Sequence, residues 1–269
     1  MRGAVVLSGQ KNQKSEVRSQ KSESWLIRVA PFIGIAGFLV VWQLASLRYA
    51  KFILPGPLDV LQKLGEKLQD GTLPLHIGTT LTEALPGLLI GSVLALLLGY
   101  PIAKSKLADR LLSPFIIASQ GIPVIAIAPL LFIWFGTGLL SKVIVCSLIV
   151  FFPIVINVII GIRSVPVLWR DLFSVYNATP WQRFAKLELP AALPFVFAGL
   201  RVGGTLSMIG AITGEFMSPS DRGLGFLVNQ GTGLYDTPLV MLAVALIVCI
   251  ALAIYGGIRL IERKVVIGD

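Results

Sequence analysis

Histidine is almost missing from this chain of 269 residues: His76 stands alone, and cysteine occurs only at Cys146 and Cys249. One histidine gives nothing on which to build a His-based metal cluster or a catalytic triad. Both cysteines lie inside apolar runs, where buried small side chains are expected rather than a disulfide or a metal site. Charge is scarce as well, with Asp, Glu, Lys and Arg making up 14% of the chain. An ordinary soluble domain carries about 25%. Acidic residues are the scarcer sign, 14 against 23 basic ones, for a net charge of +9. That excess suggests nucleic acid only until the positions are read, because the basic residues fall in the gaps between long apolar stretches. With 55% hydrophobic residues and a mean hydropathy of +0.83, much of the surface must face lipid.

Six stretches are long and apolar enough for a bilayer core, which takes about 20 helical residues. They cover residues 29–47, 84–103, 111–135, 143–162, 191–213 and 238–258. The predicted architecture is therefore an all-α membrane protein of six transmembrane helices, within a domain of residues 29–264. Six crossings put both ends on one side. That side would hold sixteen Lys and Arg residues against six on the other, which predicts that both termini are cytoplasmic. Residues 1–28 are rich in Ser, Lys, Gln and Glu and offer no apolar face, as expected of a disordered cytoplasmic tail. The first apolar run is longer than the core of a cleaved signal peptide.

Between the first two stretches, Pro57 can open a helix, and Leu58, Leu61, Leu64 and Leu68 recur at spacings of three and four. A short amphipathic helix on the outer face follows. The third stretch carries Pro114, Pro123 and Pro129 together with Ser119 and Gln120; the fourth adds Pro153 and Asn157, the fifth Arg201 and Ser207. Proline inside a membrane helix frees backbone carbonyls, and polar side chains at depth are costly, so both face protein or a wet path. Two readings stay open for Ser119, Gln120, Pro123, Asn157 and Ser207: a translocation pathway, or hydrogen bonding and close packing between helices. Arg201 lies about two turns into its stretch and can snorkel to the cytoplasmic interface. The run from Gly136 to Lys142 only superficially resembles a phosphate loop, because Ser141 precedes the lysine and Val143 follows it. Gly231 to Thr237 reads as another outer glycine-rich loop. Glu83 and Glu215 fall at the ends of their stretches.

The longest cytoplasmic connection, residues 163–190, reads RSVPVLWRDLFSVYNATPWQRFAKLELP. It holds a short helix bearing Leu172, Phe173, Tyr176, Trp181 and Phe184. Such a helix can dock into a groove on another protein or lie on its own bundle, and composition does not separate the two. The segment resembles the EAA loop of bacterial ABC importer permeases. That pattern is an acidic residue, two small residues, a glycine four positions later, and a closing Leu-Pro. Asp171 takes the acidic position, Asn177 the glycine and Leu189-Pro190 the closing pair, while Leu172 and Phe173 replace the small residues. Asn is the best substitute for glycine in a left-handed backbone. ILPGPLDV, APLLFIWFGTGLLSK, FFPIVINVIIGIRSV and GEF…RGLGFLV resemble the nitrate/sulfonate/taurine-type branch of the same family, across about residues 50 to 260. Within it, ASQGIPVIAIAPLL and YDTPLV resemble permeases for thiamine-pyrimidine precursors or riboflavin.

The resemblance implies a type I ABC importer permease of the bacterial inner membrane, with no catalytic site of its own. Asp171, Leu172, Phe173, Tyr176, Asn177, Ala178, Trp181 and Phe184 would form the surface that docks on a cytoplasmic ATPase dimer. MgATP would belong to that ATPase, and no cofactor or metal to this chain. The implied partners are a second permease copy in a homodimer, an external solute-binding protein and the lipid bilayer, without nucleic acid. A vitamin or heterocycle, or a sulfonate- or nitrate-like anion, would be the cargo. The rival is an ion-gradient-driven secondary transporter, which calls for ionisable residues buried at depth or an internal repeat.

Overall fold

A computed structural model describes residues 29–267 except Pro31, Ile122, Pro123, Pro219 and Ser220. The expected tail of residues 1–28 lies outside the described residues. Among the described residues there is no strand. The helices are α1 (Phe32–Ser46), α2 (Pro57–Gln69), α3 (Leu73–Lys104), α4 (Lys106–Gln120), α5 (Val124–Phe135) and α6 (Leu139–Arg163). They continue with α7 (Val167–Val175), α8 (Pro180–Arg183), α9 (Leu189–Met217), α10 (Leu224–Gly233) and α11 (Thr237–Glu262). Four of the described helical runs are long and apolar enough to cross a membrane, or five if α4 and α5 count as one broken span. Helix α1 is apolar but shorter.

The chain divides into two compact units, residues 1–62 and 63–269. In the first, Trp42 Nε1 donates to Pro55 O at 3.0 Å, tying α1 to the turn before α2. Asp59 accepts from the Gly56 amide at 2.9 Å and pairs with Lys51 at 2.6 Å. The Lys51 ammonium and that amide hold the Asp59 carboxyl below its ordinary value. Of the expected apolar stripe on α2, Leu58, Leu61 and Leu68 are exposed, while Leu64 is partly buried against the core that contains Leu73 and Ala84.

In the second unit α6 is the central helix, lying between α3 and α9. Two small-residue faces allow the approach: Gly87, Gly91, Ala95 and Gly99 on α3, and Gly199, Gly203, Gly210 and Gly214 on α9. A Cβ added at Gly87 would sit 2.2 Å from Cys146 Cβ, and one at Gly210 2.7 Å from Cys146 Cα. Without a water-driven hydrophobic effect between helices, backbone approach of this kind is what holds membrane bundles together. Ala95, Val150, Ile154, Val155, Val158 and Val196 fill one core; Ala84, Cys146, Met208, Leu224, Leu227 and Leu239 fill another. Cys146 is buried as expected, but Cys249 is exposed on α11. An apolar run in a lipid-facing helix needs no protein cover.

Three features add to the expected stretches. The stretch 111–135 is not one continuous helix: α4 and α5 meet at a bend of 101°. Gly121, with Pro123 two residues on, removes both helix propensity and an amide donor at that point. Helix α3 begins at Leu73 rather than near residue 84. The buried polar residues of its first turns find partners inside the fold, His76 at Gly223 and Thr80 at Glu215. The outer loop expected between the fifth and sixth stretches contains α10. Gly223, at φ +115°, starts that helix, and its glycine content made it read as loop.

Asp236 accepts from Leu239 N to cap α11 and pairs with Lys63 at 2.9 Å. That carboxylate, followed by Glu66, holds the Lys63 ammonium above its ordinary value.

Candidate functional site

The segment between α6 and α9 is built by caps rather than by burial. Arg170 donates to Ile162 O at 3.1 Å and Arg163 O at 3.3 Å, closing the end of α6 and fixing where α7 departs. None of the side chains of α7 is buried. It stops at Asn177, whose φ is +49°. The Ala178 amide donates to Phe173 O and the Asn177 amide to Ser174 O, both at 3.0 Å. These are the two bonds of a Schellman stop. Thr179 then caps α8 reciprocally with Gln182, at 3.2 and 2.9 Å, and Pro180 occupies the first helical position. The connection thus holds two helices, where one was expected.

The stop and the start, back to back, enclose a concavity of about 290 Å³ lined by Leu172, Phe173, Tyr176, Ala178, Gln182 and Lys186. The two bulky residues that replace the small pair form part of its wall. Tyr176 is 78% exposed and Trp181 71% exposed, and Asp171 is also exposed. Phe184 departs from the expectation of an exposed aromatic: it is half-buried, edge-on to Tyr100 at 5.2 Å and tilted against Trp181 at 5.6 Å. It begins a π-turn, Phe184–Glu188, that joins α8 to α9. Glu188 is buried there, accepting from Tyr100 at 3.0 Å and from Lys104. An apolar cavity of about 620 Å³ lies behind this aromatic pair, between Leu97, Tyr100, Val158, Pro180 and Val196.

Of the polar residues considered for a pathway, each one described is bonded to its own helix. Ser119 donates to Ile116 O at 2.7 Å, Asn157 to Pro153 O at 2.8 Å and Ser207 to Gly204 O at 2.9 Å. Asn157 is half-buried, while Ser207 is fully buried, its carbonyl 3.7 Å from Cys146 Sγ. The Gln120 side chain and Pro123 lie outside the described residues. Arg201 does not merely snorkel. It pairs with Glu262 at 3.1 Å and lies 5.9 Å from the Tyr255 ring.

Sequence reasoning missed a buried charged group at the other end of the same helices. Lys142 on α6 pairs with Glu83 on α3 at 2.8 Å, although it was counted with the outer-loop charges. Glu215 on α9 accepts from Thr80 at 2.6 Å and from the Gly225 amide. Leu224 N donates to Thr80 Oγ1 at 2.9 Å, and His76 meets Gly223 at 3.1 Å and stacks on Phe226. A Cβ on Gly223 would lie 2.3 Å from the Glu215 carboxyl carbon, so the GEF and RGLG motifs fold into one unit. The signal was present on α3: His76, Thr80, Glu83 and Gly87 recur at helical spacing on one face.

The profile of the family described as "Binding-protein-dependent transport system inner membrane component" matches residues 87–267. A riboflavin transport system permease protein of Chloroflexus aurantiacus is 40% identical over 93% of this chain and 93% of its own length. A probable ABC transporter permease protein of Haemophilus influenzae is 34% identical over 85% of this chain and 93% of its own. A formylaminopyrimidine transport permease protein of Halalkalibacterium halodurans is 31% identical over 84% and 90%. The chain therefore belongs to the inner-membrane components of binding-protein-dependent transport systems: it is a multi-pass permease subunit of an ABC importer and not an enzyme.

Proposed function

We propose that the chain crosses the membrane six times with both termini cytoplasmic, and that α7 and α8 are the handle by which a cytoplasmic ATPase moves it. The observation that carries this reading is the concavity between the Schellman stop of α7 and the capped start of α8, with Tyr176 and Trp181 exposed on either side. Aromatics left largely exposed by the described residues are what a protein groove recognises. Two copies of the chain, each supplying half a pathway, would alternate between inward-facing and outward-facing states as the ATPases close on MgATP. A solute-binding protein would deliver cargo to the opposite face, near residues 136–142 and 214–235. The pathway would pass the break between α4 and α5, with Ser119, Gln120 and Pro123 beside it and Asn157 facing it; Ser207 takes a packing role. Relatives named for riboflavin and formylaminopyrimidine support a nitrogen heterocycle of the vitamin class as the cargo.

The test is co-purification and ATP-driven uptake with Asp171→Lys and with Tyr176→Ala/Trp181→Ala. All of these side chains are exposed, so the bundle stays folded, while ATPase retention and uptake both fall at least about tenfold, the loss of one or two interface anchors. Normal retention and uptake in both variants would refute the docking surface.

A further inference from the structure

The end of the bundle away from α7 concentrates charge that the transport reading leaves unused. The side chains of Glu83, Lys142 and Glu215 are 2%, 6% and 2% exposed, from α3, α6 and α9 respectively. Lys142 Nζ donates to Glu83 Oε1 at 2.8 Å. Glu215 spends one oxygen on the Thr80 hydroxyl and the other on the Gly225 amide. Glu83 and Glu215 stand within hydrogen-bond reach of each other, yet Glu83 Oε2 is buried and no donor meets it. Among the described residues, the remaining titratable group against the cluster is Cys146 on α6. His76, about two turns before Glu83 on α3, faces Gly223, with Lys67, Asp221 and Arg222 beyond it.

Two carboxylates and one ammonium leave a surplus negative charge where water does not reach, and carboxyl groups in contact do not both ionise without severe repulsion. A single hydrogen on Glu83 Oε2, donated to Glu215, gives the orphaned oxygen a partner and the contact an attraction, and it makes the set neutral. Catalytic carboxyl pairs elsewhere share a proton for the same reason. We propose that Glu83 and Glu215 form a proton-binding site which, with Lys142, locks this end of α3, α6 and α9 together and to the start of α10. The proton comes from solvent as the helices close and returns to it when they part; no other bond changes. This site does not depend on the docking surface at α7 and α8.

Infrared difference spectroscopy of the full-length chain in nanodiscs, wild type against Glu83→Gln, tests it. Expected is a protonated-carboxyl carbonyl band in the wild type at neutral pH that is gone in Glu83→Gln, whose amide still donates to Glu215 and accepts from Lys142. Glu215→Gln should lose the band too, because the one carboxyl left is then matched by Lys142 and ionises. Glu188, the other buried carboxylate with a cation, already has Lys104 and adds no such band. The folded state would hold a proton that the unfolded chain releases, so the wild-type unfolding midpoint should fall as pH rises through neutrality. The midpoint of Glu83→Gln should not. A wild-type band that survives in both variants, or no band at all, would overturn the site. Should neither variant fold, a pH-independent wild-type midpoint would overturn it as well.

Discussion

Asn177 carries the turn of the docking segment on a backbone angle of +49°, where an ordinary L-residue is strained. Asn177→Gly should therefore leave the thermal midpoint and ATPase retention unchanged. Asn177→Ala should cost about 1 kcal/mol, read as a lowered midpoint in a detergent unfolding scan, and should weaken retention by misplacing Ala178. The family spacing made this residue legible before any coordinates, because the pattern asks for glycine and Asn is its nearest substitute. Phe184 was not legible in that way. Its ring turns inward onto Tyr100, which lies 84 residues earlier, and no local pattern announces that contact. The same limit hid Lys142, which follows a glycine-rich turn and looked like a surface charge until α3 supplied Glu83.

Among the elements, α6 shows how a bundle in lipid can be held by shape. Its two neighbours present small-residue faces, and the tightest approach is at Cys146. Gly210→Val should lower unfolding free energy by about 2–3 kcal/mol, the cost of overpacking a tight contact. Gly256→Val on α11, where a Cβ meets nothing within 4 Å, should be neutral. Steric trapping or mixed-micelle unfolding of the two variants separates them; equal loss would mean that the approach is not what holds α6. The apolar runs foretold where α6, α9 and α11 lie, since length and hydropathy suffice for a continuous span. They did not reveal the break within the stretch 111–135, because a run of apolar residues reads the same whether the helix passes straight through or breaks at Gly121. The start of α3 was hidden for the opposite reason: its first turns look polar, and only their partners reveal them as interior.

For the whole molecule, the family and the apolar spans of the described residues fit an importer driven by a separate motor. In proteoliposomes holding this chain, its ATPase and its binding protein, heterocycle uptake should require ATP inside the coupled system and persist when ionophores collapse the ion gradients. Uptake that follows the gradient and ignores ATP would favour a secondary transporter. The π-turn at Phe184–Glu188 carries a consequence for inheritance. Each residue of an α-helix turns the chain by roughly 100°, so a loosened turn acts as an adjustable joint in register. Losing one codon there would tighten this turn to an ordinary α-turn and leave the facing of Trp181 and Tyr176 largely in place, because the wide turn already absorbs one extra residue. A single-residue indel is thus tolerated at this turn in a descendant permease, where elsewhere in a helix it would rotate every later side chain by roughly that angle.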